Sequence, residues 1–151
     1  MRRSVLSAFL LLAACAGAPE TPSPTPAPTA SHGLAAPVPE GVQLRIGAAM
    51  NGQTIDVAIG QPFAVELRGV PTAGYLWAPA HIPDFLAQTG QATGPTSQAQ
   101  LQPGFAGGSH WEVLVFTAST AGEGELALEQ RRPWETDQPP NDVFRVRLRA
   151  R

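Results

Sequence analysis

Lysine is missing from this 151-residue chain: all ten basic side chains are Arg, set against twelve Asp and Glu, for a net charge of −2. No basic field exists to hold a phosphate backbone, which argues against nucleic acid as a partner. Cysteine occurs once, at Cys15, so no intramolecular disulfide staples the fold. Three scattered His with no second Cys offer no zinc-ligand spacing, and neither a metal nor another cofactor is expected. No apolar run reaches the ~18 residues of a membrane-spanning helix. Catalytic signatures are missing too. There is no G-x-S-x-G elbow, no Gly-rich phosphate loop ending in Lys-Ser/Thr and no H-E-x-x-H. His81 and His110 lack a carboxylate pattern around them, and catalysis is not expected.

What the chain does have is Pro (16) and Gly (15), unevenly distributed. Arg2 and Arg3 precede an apolar stretch at residues 5–12 that is too short to span a bilayer, the layout of an export signal. It ends in Leu12-Ala13-Ala14-Cys15, which resembles a bacterial lipobox. On this reading residues 1–14 are a lipoprotein signal peptide and Cys15 is the lipidation site. Several acyl chains at roughly 0.8 kcal/mol per buried methylene anchor durably. The mature chain would sit in the bacterial cell envelope, with Ala16 after the cysteine resembling the class sorted to the outer membrane. Ordinary cleavage with an incidental cysteine is the plainer alternative.

Residues 15–40 contain seven of the sixteen prolines and almost no large apolar side chain. Such a segment cannot bury enough surface to offset its ordering entropy, so a flexible, Pro-rich linker is expected there, with one domain at 41–151. Within that domain the apolar period is two. Val42, Leu44 and Ile46 alternate with polar residues, as do Phe63, Val65 and Leu67, then Leu126 and Leu128, then Phe144, Val146 and Leu148. Trp111 to Phe116 is apolar on both faces around a single Glu, the pattern of a central strand. Turn formers separate the runs: Asn51-Gly52, Gly60-Gln61-Pro62, Pro103-Gly104 and Pro139-Pro140-Asn141. No window carries a helical stripe, although residues 82–87 suit one turn. Six to eight strands in about 110 residues predict an all-β sandwich, and a monomer is expected. Glu123 and Glu125 read as a solvated rim. The alternating Arg145, Arg147 and Arg149 read as charges that keep an edge strand from pairing.

Binding function usually sits on loops, and three are unusual. The first is Val70-Pro71-Thr72-Ala73-Gly74-Tyr75-Leu76-Trp77, stiffened by Pro at one end and bent by Gly at the other. The second, Pro103-Gly104-Phe105-Ala106-Gly107-Gly108, carries one Phe in a glycine-rich turn. The third, Arg131-Arg132-Pro133-Trp134-Glu135, places a Trp after Pro in a polar loop. Together and in this order they resemble the signatures of the chagasin family of cysteine peptidase inhibitors: N-P-T-T-G-Y-x-W, G-x-G-G and R-P-W. Val70, Ala73 and Phe105 stand where the family pattern has Asn, Thr and Gly.

The resemblance implies an immunoglobulin-like β-sandwich whose three signature loops cluster at one end. It also implies a reversible, non-covalent inhibitor that blocks the active-site cleft of papain-like cysteine peptidases with those three loops. Pro71, Thr72, Ala73, Gly74 and Tyr75 would approach the catalytic centre. Phe105, Gly107 and Gly108 would lie along the substrate side, and Arg132, Pro133 and Trp134 would meet a surface beyond it. The competing function is an immunoglobulin-like envelope lipoprotein serving adhesion or structure. Trp77 is expected mainly in the core, with Tyr75 mixed, and His110 at most partly buried.

Overall fold

Alternation of apolar and polar side chains dictates what the computed structural model shows for residues 33–151: two four-stranded sheets packed face to face. The strands are β1 (Leu44–Gly47), β2 (Thr54–Val57), β3 (Pro62–Gly69), β4 (Leu76–His81), β5 (Leu86–Pro95), β6 (His110–Ala118), β7 (Gly122–Arg131) and β8 (Asp142–Ala150). One sheet runs β1-β3-β6-β5 and the other β2-β8-β7-β4. The described residues contain no α-helix, only short 3₁₀ turns. The expected signal peptide, the expected lipidation site at Cys15 and the expected linker up to residue 32 lie outside the described residues.

Inward positions of both sheets meet in one core. Phe63, Val65 and Leu67 of β3 and Leu114 and Phe116 of β6 face Leu126 and Leu128 of β7 and Phe144, Val146 and Leu148 of β8. The Phe63 and Phe116 rings stack with centroids 5.9 Å apart. Each such side chain contributes about 1.5–3 kcal/mol through burial. Trp77 belongs to this core as well.

Three expectations change. The folded part begins before residue 41: residues 33–38 lie across the outer face of the first sheet. There Ala36 is buried, with Val38 packed alongside, over Ala64, Val113 and Val115. Those outward apolar residues need a cover, and the last Pro- and Ala-rich residues of the expected linker supply it. Second, β8 is an interior strand, paired antiparallel with β7 and in parallel with the short β2. Its Arg side chains form a cross-strand ladder: Arg145 pairs with Glu125 (3.6 Å), Arg147 and Arg149 with Glu123 (3.4 Å each), and Arg151 with Asp56 (2.6 Å). Exposed pairs of this kind contribute about 0–1 kcal/mol each, so the ladder sets register more than stability. Third, residues 82–87 make no helical turn. Leu86 N–H closes a reverse turn on Pro83 (2.9 Å), and β5 starts there.

Candidate functional site

Strand order places the three loops at one end of the sandwich. Gly69, the last residue of β3, pairs with His110, the first of β6, and His110 also pairs with Pro95 at the end of β5. The loops at 70–75 and 96–109 therefore leave the first sheet side by side. In the second sheet Leu76, opening β4, pairs with Arg131, closing β7, so the loop at 132–141 rises beside the first.

The first loop is closed by its own backbone. Val70 and Tyr75 exchange two N–H···O bonds of 3.3 Å, and Pro71–Ala73 form a 3₁₀ turn between them. Gly74 sits in the left-handed region at φ +82°, where a side chain is strained. Pro71, Thr72 and Ala73 are exposed at the tip.

The third loop locks onto the first. Arg132 Nε donates to the Ala73 carbonyl (2.9 Å), its guanidinium lies 4.5 Å from the Tyr75 ring centre, and its Nη1 donates to Glu135 (2.9 Å). Trp134 rests against Gly74: a Cβ there would come within 2.4 Å of the indole. Glycine is thus required at position 74 twice over, for its φ and for the indole. Behind this pair of loops is an open recess of about 520 Å³ lined by Tyr75, Arg131, Arg132, Glu135 and Asn141 among others.

The second loop is held by Gln100. Its Oε1 accepts the backbone N–H groups of Thr96 (2.6 Å) and Ser97 (3.0 Å), and its Nε2 donates to the Ser109 carbonyl (2.8 Å). Gly107 and Gly108 both have positive φ, +89° and +86°. Phe105 and Leu101 project outward.

Exposed apolar surface concentrates here. Of the six exposed large apolar side chains among the described residues, Val70, Leu76, Leu101, Phe105 and Trp134 belong to this end and only Ile59 lies elsewhere. Trp134 is 69%, Leu101 57% and Phe105 47% exposed. Clustered apolar side chains on rigid loops mark an interaction surface.

Polar cross-braces under the loops tie the sheets together. The Arg68 carbonyl of β3 accepts Trp77 Nε1 (2.9 Å) and Gln130 Nε2 (3.2 Å) from the second sheet. Glu112 of β6 accepts the Trp77 backbone N–H (2.9 Å), and Asn141 at the foot of the third loop donates to Gln130. Glu112 and Gln130 carry no motif, but parity marks them. Each continues an inward series, 112-114-116 and 126-128-130. His110 is partly buried, while His81 is exposed.

Burial pushes the Glu112 carboxyl above the usual carboxylate range, while the Trp77 N–H and nearby His110 act in the opposite direction. In the interval between its ordinary and its raised value the folded chain holds a proton that the unfolded chain has lost. Stability contributed at this site therefore falls as pH rises through that interval. Gln keeps the acceptor for Trp77 without the charge. The stability of Glu112→Gln relative to the parent should accordingly grow as pH rises from below the ordinary carboxylate range to neutral, read as melting temperature against pH. Parallel profiles would refute this.

A family model, "Chagasin family peptidase inhibitor I42", matches residues 56–148. The chain belongs to this chagasin family. Amoebiasin-1 of Entamoeba histolytica is 33% identical over 85 residues, covering 56% of this chain and 78% of the relative. Among solved structures, the cysteine protease inhibitor EhICP2 from Entamoeba histolytica superposes with a TM-score of 0.62 at 18% identity, covering 76% of this chain and all of that one. The solution structure of amebosin gives 0.57 at 26% identity, covering 74% of this chain and all of the other. In this chagasin-family chain the signature residues from Pro71 to Tyr75, Phe105 to Gly108 and Arg132 to Trp134 lie on the three loops at one end, while Trp77, which closes the first string, is buried in β4. At the position of the family Asn, Val70 contributes only its backbone to loop closure. Ala73, in place of a Thr, presents its carbonyl to Arg132.

Proposed function

We propose that this chagasin-family chain is a reversible, non-covalent inhibitor of papain-like cysteine peptidases, blocking the active-site cleft with the loops at 70–75, 96–109 and 132–141. The supporting observation is the convergence of the three signature loops, each braced internally or by its neighbour, with the exposed apolar side chains gathered on them. Inhibition by this geometry is occlusion. The exposed tip at Thr72 is the leading edge, Phe105 and Trp134 flank it, and no covalent step is needed. A standard inhibitor interface covers roughly 800 Å² per partner, within reach of three loops. Loops ordered before binding avoid part of the ~0.5–1.5 kcal/mol lost per immobilised side chain.

Titrating papain with the purified chain tests this reading. Hydrolysis should fall to a floor that is recovered on dilution. Unchanged hydrolysis at micromolar protein would overturn it. The proposal extends to location. Lipidated at Cys15, the chain would be held in the bacterial envelope, and Cys15→Ser should move it from the membrane fraction to the soluble one. Retention of Cys15→Ser in membranes would overturn that extension.

A further inference from the structure

The segment at 33–38 does more than cover apolar surface. It crosses the outer face of the first sheet from the end of β5 to β1. Gly33 pairs with Ser97, and Leu34 N–H donates to the Thr96 carbonyl (2.8 Å). The Leu34 carbonyl accepts Trp111 Nε1 (2.7 Å), and the Arg68 guanidinium stacks over that indole at 4.8 Å. Pro37 lies against Gly94, where a Cβ would come within 2.9 Å of its ring, and Arg45 reaches the Ala36 carbonyl (3.4 Å). These anchors lie on four different strands or their ends.

Thr96 is where this segment meets the second loop. While its carbonyl is held by Leu34, its N–H donates to Gln100 (2.6 Å) and its hydroxyl to the Ser109 carbonyl (2.9 Å). Gln100 in turn reaches the carbonyls of Ser109 (2.8 Å) and Gly107 (3.4 Å). A continuous path of hydrogen bonds thus runs from Leu34 through Thr96 and Gln100 to the turn bearing Phe105, Gly107 and Gly108. Those two glycines have no intrinsic preference for the conformation they hold, so the loop depends on outside bracing to stay in it. The family match at 56–148 does not include the segment.

We infer that residues 33–38 are a positioning strap for the second inhibitory loop, with Leu34 acting through Thr96. This rests on the inhibitor reading of that loop. Two substitutions in the full chain remove one strap bond each. Leu34→Pro deletes the N–H given to Thr96. Trp111→Phe deletes the indole N–H given to Leu34 while keeping a ring under Arg68. In the free protein both should speed amide hydrogen exchange at residues 98–109 and leave 70–75 unchanged. Both should weaken papain inhibition about five- to tenfold, the range expected for one lost bracing bond. In a Phe105→Ala background the Leu34→Pro penalty should shrink below about twofold, whereas with Trp134→Ala it should persist in full. Unchanged exchange at 98–109 in both variants, or a full Leu34→Pro penalty without Phe105, would overturn the strap. A parent chain inert toward papain would instead overturn the inhibitor reading, and exchange in the free protein would still decide whether the strap orders the loop.

Discussion

Trp134→Ala is expected to weaken inhibition of papain by roughly 30- to 1,000-fold, the cost of removing an aromatic anchor worth about 2–4 kcal/mol. The folded chain itself should scarcely notice, because the indole is mostly exposed and its main support is the face of Gly74. A melting temperature within a degree or two of the parent, with inhibition lost, is the expected pair of readings. Gly74→Ala reaches the same end by another route. Its methyl would occupy the space of the indole, and the residue would hold φ +82° at a cost of about 1–2 kcal/mol. Inhibition should fall as far as with Trp134→Ala, now with a lower melting temperature. Equal potency of Trp134→Ala and the parent would move the contact surface away from the third loop.

The second large effect is on stability. A methyl at Gly69 would overlap Glu112, coming 1.6 Å from Oε1 and 2.7 Å from Cδ. The carboxylate must swing aside, and the Trp77 N–H then loses its acceptor in a buried site. An unmet buried donor costs about 1–3 kcal/mol, so Gly69→Ala should lower the melting temperature by roughly 5–10 °C. Adding Glu112→Ala frees the space and leaves the same donor unmet, so the double variant should be no less stable than Gly69→Ala alone. The two costs should therefore fail to add. A Gly69→Ala melting curve that overlays the parent would show the carboxylate is not confined as described.

Alternation made β3, β7 and β8 legible from residues alone, because each turns one face to the core, and β6 was legible as a run apolar on both faces, both of which it buries. β5 was hidden. Its ten residues include a single fully buried side chain, Leu86, and it joins the sheet by backbone pairing with β6 along a bulged register. β2 is four residues long and matters chiefly because it turns β8 into an interior strand, which no pattern within β8 reveals. The loop strings were readable as strings, and the exposure of Phe105 and Trp134 agrees with their polar, glycine-rich surroundings. Contacts between loops were not readable. Arg132 meets Ala73 across 59 positions, and only the pairing of Leu76 with Arg131 brings them together. The strap at 33–38 shares the composition of the residues before it. Its order comes from a sheet face made by Ala64, Val113 and Val115, far along the chain.

Gly33 and Ser97 pair beside the second loop, so the described residues begin at the same pole as the loops. Arg151 follows β8 at the opposite pole, since Asp142 starts that strand beneath the third loop. A leash fastened at Gly33 would keep a captured protease close to the leash's own attachment point, and a seated protease would crowd Gly33 itself. Fusion partners and immobilising tags belong at Arg151, where a bulky passenger stands clear of the docking pole. The same passenger joined just ahead of Gly33 would stand in the protease's way.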